Sequence, residues 1–203
     1  NTLELTASYS HDTRNKAVFA NKGVLHRFSA QVALPSGDLQ YFKVRYKHQR
    51  YIPITRKLTL FLKGEVAYGD GYDTTGALPF YENYFVGGVR SVRGFKDNSL
   101  GPRDSNNRPI GGAYKVLTSL ELIFPPPFAT NSRAFRVSAF IDVGNVYRDV
   151  DDFNEATLRI SGGLSIIWIS PVGPIRLSFA KPIREFAGDE TQVVQFSLGS
   201  AFF

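Results

Sequence analysis

The chain has 203 residues, no cysteine, no methionine and a formal net charge of +6, so disulfides and thiolate metal sites are excluded. Its three histidines, His11, His26 and His48, are scattered in sequence without metal-ligand spacing. No apolar run approaches the ~20 residues of a transmembrane helix, but a transmembrane β-barrel needs strands of only about 9–11 residues, with lipid-facing and polar side chains alternating.

Period-2 alternation begins at once. Leu3, Leu5, Ala7 and Tyr9 oppose Thr2, Glu4, Thr6 and Ser8, and Phe28, Ala30, Val32 and Leu34 oppose Arg27, Ser29 and Gln31. Phe42, Val44 and Tyr46 then oppose three cations, Lys43, Arg45 and Lys47. In the fourth segment Leu58, Leu60, Leu62, Val66 and Tyr68 oppose Thr59, Lys63 and Glu65. A strand starting at residue 3, in a chain without an initiator methionine, predicts an excised piece or processed product.

Gly69-Asp70-Gly71 opens a long connection over about residues 69–112, uncommon in a compact domain unless it is functional. Its centre runs Leu78-Pro79-Phe80-Tyr81-Glu82-Asn83-Tyr84-Phe85-Val86-Gly87-Gly88-Val89-Arg90-Ser91-Val92-Arg93-Gly94-Phe95. Aromatic and glycine-rich, it reads as a loop that folds inward and docks, which singles out Arg93, directly before a glycine.

Alternation returns with Tyr114, Val116, Thr118, Leu120 and Leu122 against Lys115, Ser119 and Glu121. Phe135, Val137, Ala139, Ile141 and Val143 follow, against Arg136, Ser138 and Asp142. The last runs are Leu158 to Ile169, Ile175 to Ala180 and Val193 to Phe203. Together these make about nine strands with turn-rich spacers, an antiparallel up-and-down meander. Pro35-Ser36-Gly37-Asp38 and Pro171-Val172-Gly173-Pro174 are short turns. Short turns alternating with longer loops fit an outer-membrane barrel, which puts Phe203 on the periplasmic side and the long loop outside.

A soluble β-sandwich or lipocalin-like barrel alternates in the same way, and periodicity does not choose between the two. Aromatics near the segment ends, Tyr9, Tyr46, Tyr51, Tyr68, Tyr114, Trp168 and Phe202, favour the membrane barrel, as an interfacial girdle would place them. Other chemistries find little support. No catalytic triad is recognisable, Gly87-Gly88 lacks the Lys-Ser/Thr ending of a phosphate loop, and no cofactor or metal is implied. Arg45, Lys47 and Arg50 with Tyr41, Tyr46 and Tyr51 could mimic a nucleic-acid stacking surface, but a cationic lumen or contacts to anionic lipid explain them without nucleic acid.

With these motifs in place the chain resembles the C-terminal barrel of the BamA family of outer-membrane protein assembly factors, in the bacterial surface antigen superfamily. The resemblance rests on Tyr68-Gly69-Asp70-Gly71, Pro79-Phe80-Tyr81-Glu82-Asn83 followed by Gly87-Gly88, Val92-Arg93-Gly94-Phe95, Ser119-Leu120-Glu121, Asp142-Val143-Gly144 and Trp168-Ile169-Ser170-Pro171-Val172-Gly173-Pro174, in that order. It implies an all-β, antiparallel transmembrane barrel, with about nine strands present out of a sixteen-strand family barrel. By the same resemblance the long connection is an extracellular loop folded back into the lumen. The implied activity is the folding and insertion of nascent outer-membrane β-barrel proteins into the lipid bilayer of the bacterial outer membrane, without catalysis. Periplasmic domains and accessory lipoproteins would belong to the intact parent.

Carried over residue by residue, the family's loop arginine becomes Arg93, and its acidic partners on the inner wall become Glu121 and Asp142. Both acids also lie on the polar faces of their strands as read above. Gly94 would let the backbone turn where a Cβ would obstruct, and Phe95 would pack beneath the loop. The final segment, with Val194, Phe196, Leu198 and Phe202 on one face and Gly199 in its interior, resembles the terminal strand of a seam that pairs weakly with the first strand and opens toward the membrane. The edges of this chain would be Leu3 to Tyr9 and Val194 to Phe202. Because open edges are costly in lipid, the segment closes on itself, pairs with another copy or forms part of a larger barrel.

Overall fold

The computed structural model describes residues 2–17, 19–35, 39–126, 134–171 and 173–199. Among these residues eleven strands occur in chain order: β1 (Glu4–Asp12), β2 (Gly23–Ala33), β3 (Tyr41–Pro53), β4 (Thr59–Gly71), β5 (Gly94–Phe95), β6 (Tyr114–Phe124), β7 (Phe135–Tyr147), β8 (Arg159–Ser170), β9 (Gly173–Arg184), β10 (Thr191–Gln192) and β11 (Val194–Leu198). Nine of them form one sheet in the order β1-β2-β3-β4-β6-β7-β8-β9-β11, every neighbour antiparallel. The two short strands, β5 from the long loop and β10 from the last connection, pair separately. Among the described residues β1 pairs only with β2 and β11 only with β9, so the sheet is an open part of a barrel.

The two faces of the sheet settle what periodicity leaves open. The apolar rows point outward and remain exposed, Leu164 by 52% and Phe196 by 62%, while on the other face Asp142 is 0% and Glu121 4% exposed. A soluble sandwich would bury the first set and solvate the second. A sheet with an apolar exterior and a polar, filled interior is the arrangement of a barrel in lipid. Serines 119, 138, 161, 165 and 178 are buried on this inner face, and their small size leaves room for the loop.

The aromatics form girdles at both ends, with a membership that differs from the sequence reading. At the loop end, Phe42, Tyr68, Tyr114 and Tyr147 make a chain of ring contacts with centroids 5.9 to 6.4 Å apart, joined by Phe153. At the turn end, Phe135 stacks on Trp168 at 5.7 Å. Tyr51 belongs to neither girdle. It stacks on Phe61 at 4.5 Å inside the lumen, because its parity in β3 is that of Lys47 and Gln49. Tyr46 faces outward but lies mid-strand between Phe28 and Val66, and Phe202 lies outside the described residues.

Other expectations also need correction. Tyr41 pairs with Gly71, so the link between β2 and β3 lies at the same end as the long loop, while the links from β1 to β2 and from β6 to β7 lie at the opposite end and are not short turns. Strand direction, fixed by pairing, decides which end a connection occupies, and turn composition does not. Among the described residues the terminal strand runs from Val194 to Leu198, and Gly199 follows it. Gly199 has φ +101°, a backbone conformation that favours glycine, and its N–H donates to the Pro174 carbonyl at 2.9 Å.

The histidines are scattered only in sequence. His11, His26 and His48 are direct cross-strand neighbours, with ring centroids 6.4 and 4.7 Å apart. Among the described residues no group of three or more metal-ligating side chains is arranged to hold an ion.

The outward rows carry a measurable consequence. Leu120, flanked by Leu62 and Ile141, lies mid-strand on the lipid face. Leu120→Arg is expected to cost about 2–4 kcal/mol of stability in a bilayer. Urea unfolding of the protein in lipid vesicles checks this, and a cost near zero would place Leu120 outside the membrane.

Candidate functional site: the loop docked on the inner wall

The long loop carries a small core of its own. Val86, Val92, Phe95 and Leu100 are buried together, and Leu117 of β6 and Val146 of β7 complete the cluster from the wall. Backbone bridges between Tyr84 and Gly112, and between Val86 and Leu100, fold the loop back on itself. A tight turn follows Gly87, where Ser91 Oγ accepts from the Gly87 N–H at 2.9 Å and donates to the Gly87 carbonyl at 2.8 Å. Gly144 leaves the space that Val92 fills, since a Cβ there would lie 3.1 Å from the Val92 side chain and 2.8 Å from the Val116 carbonyl. The Pro79–Asn83 segment is anchored too, with Lys43 Nζ 2.8 Å from Glu82.

Arg93 projects from this core onto the wall and is 2% exposed. Its Nε and Nη2 reach the two Asp142 oxygens at 2.7 Å each, a bidentate pair. Nη2 also lies 2.7 Å from Glu121 Oε1. Nη1 donates to Ser165 Oγ at 3.3 Å and Nη2 to Ser119 Oγ at 3.2 Å. The guanidinium carbon sits 3.4 Å from the centre of the Phe140 ring, so one face is stacked while the edges are hydrogen-bonded. The Arg93 backbone N–H adds a bond to Asp142 Oδ2 at 3.1 Å. One loop residue thus joins β6, β7 and β8.

Gly94 has φ +88°, and a Cβ there would come within 3.2 Å of Ala180 Cβ, so glycine permits both the turn and the close approach to β9. Phe95 is buried in the loop core. The structure therefore brings Arg93, Gly94, Phe95, Glu121 and Asp142 together. Val194, Phe196 and Leu198, expected at a seam, stand apart from them, facing outward from β11.

The sequence reading omits Phe140, Ser165 and Gln195, although all three lie at inward positions of their strands. Gln195 touches the loop directly, accepting from the Gly94 N–H at 3.2 Å and donating to the Phe95 carbonyl at 2.7 Å. Outside the wall, the Lys96 ammonium lies 2.7 Å from Glu190 and holds that carboxyl below the usual carboxylate range.

The rest of the lumen is basic. Glu65 receives both Arg45 and Lys115 at 2.7 Å. A cavity of about 770 Å³ between loop and wall is lined by Lys47, Lys63 and Arg136 among others. The stacking surface considered for nucleic acid does not exist as one face. Arg45, Lys47, Tyr41 and Tyr51 face the lumen, while Tyr46 and Arg50 point outward, because odd and even positions of β3 lie on opposite sides.

The stacked, three-way arrangement predicts strongly non-additive mutations. Arg93→Ala leaves two buried carboxylates without their shared cation and is expected to cost about 3–5 kcal/mol. Glu121→Gln keeps the bidentate pair with Asp142 and should cost less, about 1–3 kcal/mol. The double variant should lose clearly less than the sum of the two in urea unfolding. Additive losses would mean that Arg93 and Glu121 act independently.

Comparison with known proteins agrees with this geometry. Residues 1–202 match the Omp85 superfamily domain. The chain is 33% identical to the outer membrane protein assembly factor BamA of Neisseria meningitidis serogroup B, over 97% of this chain and 28% of that protein. It is 26% identical to a SAM50-like protein of Schizosaccharomyces pombe, over 98% of this chain and 44% of that protein. The crystal structure of BamA from Haemophilus ducreyi lacking POTRA domains 1–3 superposes with a TM-score of 0.87 at 31% identity, covering 95% of this chain and 41% of that one. The chain thus spans between a quarter and a half of the length of these relatives. With an apolar-outside antiparallel sheet, and a superfamily match from residue 1 to residue 202, this chain belongs to the Omp85 superfamily.

Proposed function

We propose that this chain is the C-terminal barrel segment of an outer-membrane protein assembly factor, one that folds and inserts β-barrel proteins into the bacterial outer membrane. The observation that carries the reading is the buried Arg93 held by Glu121 and Asp142 inside a lipid-facing sheet, in a chain 33% identical to a BamA. In this reading the loop over about 69–112 is extracellular and acts as a structural latch that organises the barrel interior. The terminal strand, with Val194, Phe196, Leu198, Gly199 and Phe202, forms one side of the seam. A nascent barrel strand adds to that edge by β-augmentation, backbone hydrogen bonds giving affinity and alternating side chains giving fit. The partners are nascent outer-membrane proteins and the bilayer, with periplasmic domains and accessory lipoproteins contributed by the intact parent. No nucleotide or cofactor is needed, because the folding free energy of the substrate drives the step.

A translocating pore of the same superfamily or a passive porin-like channel would use the same sheet. The loop core packed on Leu117 and Val146 fills part of the lumen and weighs against an open channel.

The full-length protein in proteoliposomes separates these readings. Assembly of a test β-barrel without a steady open-pore conductance supports the insertase, and a stable conductance with no assembly supports the channel. Arg93→Ala should leave the strands folded while raising proteolysis within residues 78–110 on the order of a hundredfold. Unchanged protease sensitivity there would remove the latch from the proposal.

A further inference from the structure

The loop tetrapeptide is fastened on two sides. Arg93 reaches toward β6, β7 and β8, whereas the next residues reach the terminal hairpin. The Gln195 side chain sits against the backbone between Gly94 and Phe95, accepting at 3.2 Å from one residue and donating at 2.7 Å to the next. A primary amide carries a donor and an acceptor side by side, which matches the N–H of one residue and the carbonyl of the next. Close by, β5 pairs with β10, Gly94 opposite Gln192 and Phe95 opposite Thr191, and the Lys96 N–H donates to the Glu190 carbonyl at 2.8 Å.

Gln195 is buried, while its β11 neighbours Val194 and Phe196 point outward, away from the loop. Within β11 the tie to the loop therefore runs through one side chain. At the other described end of the strand the Gly199 N–H donates to the Pro174 carbonyl.

We infer that Gln195 is a positioning residue that makes loop docking and the seating of the terminal strand a single cooperative unit. The strand cannot slide or lift at Gln195 without breaking both bonds or drawing the tetrapeptide off Asp142 and Glu121. This deepens the latch and seam proposed above, and rests on that reading only for its use in assembly.

Hydrogen–deuterium exchange on the full-length protein in lipid nanodiscs tests the coupling, read on peptides covering 94–100 and 193–199. Gln195→Leu, which removes both bonds, should speed exchange in both peptides about tenfold. Gln195→Glu, which keeps only an acceptor, should fall between that variant and the unaltered protein. Arg93→Ala should speed exchange over 193–199, although no hydrogen bond or ion pair to β11 is described for Arg93. In the Gln195→Leu background that extra effect should vanish. The inference is overturned if Arg93→Ala leaves 193–199 unchanged, or if it accelerates that peptide equally with and without Gln195. Peptides over 41–53 report whether the sheet is intact; should Arg93→Ala unfold it, the response of 94–100 to Gln195→Leu decides alone. Test-barrel assembly by the same samples reads the functional proposal separately, since coupling without assembly would sink only that proposal.

Discussion

A charged side chain carried inward on a loop is the constraint around which this structure is arranged. A guanidinium removed from water loses its hydration, and the loss is offset only when every edge finds a partner. Arg93 meets that condition with two carboxylates, two serine hydroxyls and an aromatic face, drawn from three strands. The two serines are short and the Phe140 ring is flat, so the cation can approach the wall closely. The loop core around Val92 and Phe95 then forms against Leu117 and Val146.

The same constraint accounts for the inverted faces of the sheet. In a soluble β-protein the core lies between apolar faces, but here the apolar rows contact lipid and hold no side chains together across the interior. The interior is ordered instead by ion pairs among Arg93, Glu121 and Asp142, and among Arg45, Lys115 and Glu65, with buried serines between them. Such pairs add little net stability over apolar packing, but a bidentate geometry admits few alternative positions. That suits a wall on which one loop must sit in one register, and Gly144 and the inner-face serines keep that register free of obstruction.

The loop and the terminal hairpin also share backbone. A two-residue ladder between β5 and β10, continued by the Gln195 amide, extends the docked loop to the edge of the sheet. The docked loop and β11 are thereby contiguous, one face of β11 turned to the loop and the other outward.

Much of this was legible in the amino-acid sequence, because alternation has a strict period of two and each residue's face follows from its parity. The strands, the inward parity of Glu121 and Asp142, and the conspicuous Arg93-Gly94 pair all follow from local chemistry. Parity alone also places Tyr51 in the lumen and divides Arg50 from Arg45, so those corrections required only a stricter use of the pattern. What local chemistry does not contain is which face meets lipid, since an inside-out barrel has the same period. Nor does it contain which strands lie side by side. The row of His11, His26 and His48, the Phe140 ring beneath Arg93 and the Gln195 amide against Gly94 and Phe95 arise only when strand pairing brings together residues far apart in the chain. Tertiary structure decided those contacts, because register is a property of two strands and the sequence of either one carries only its own half.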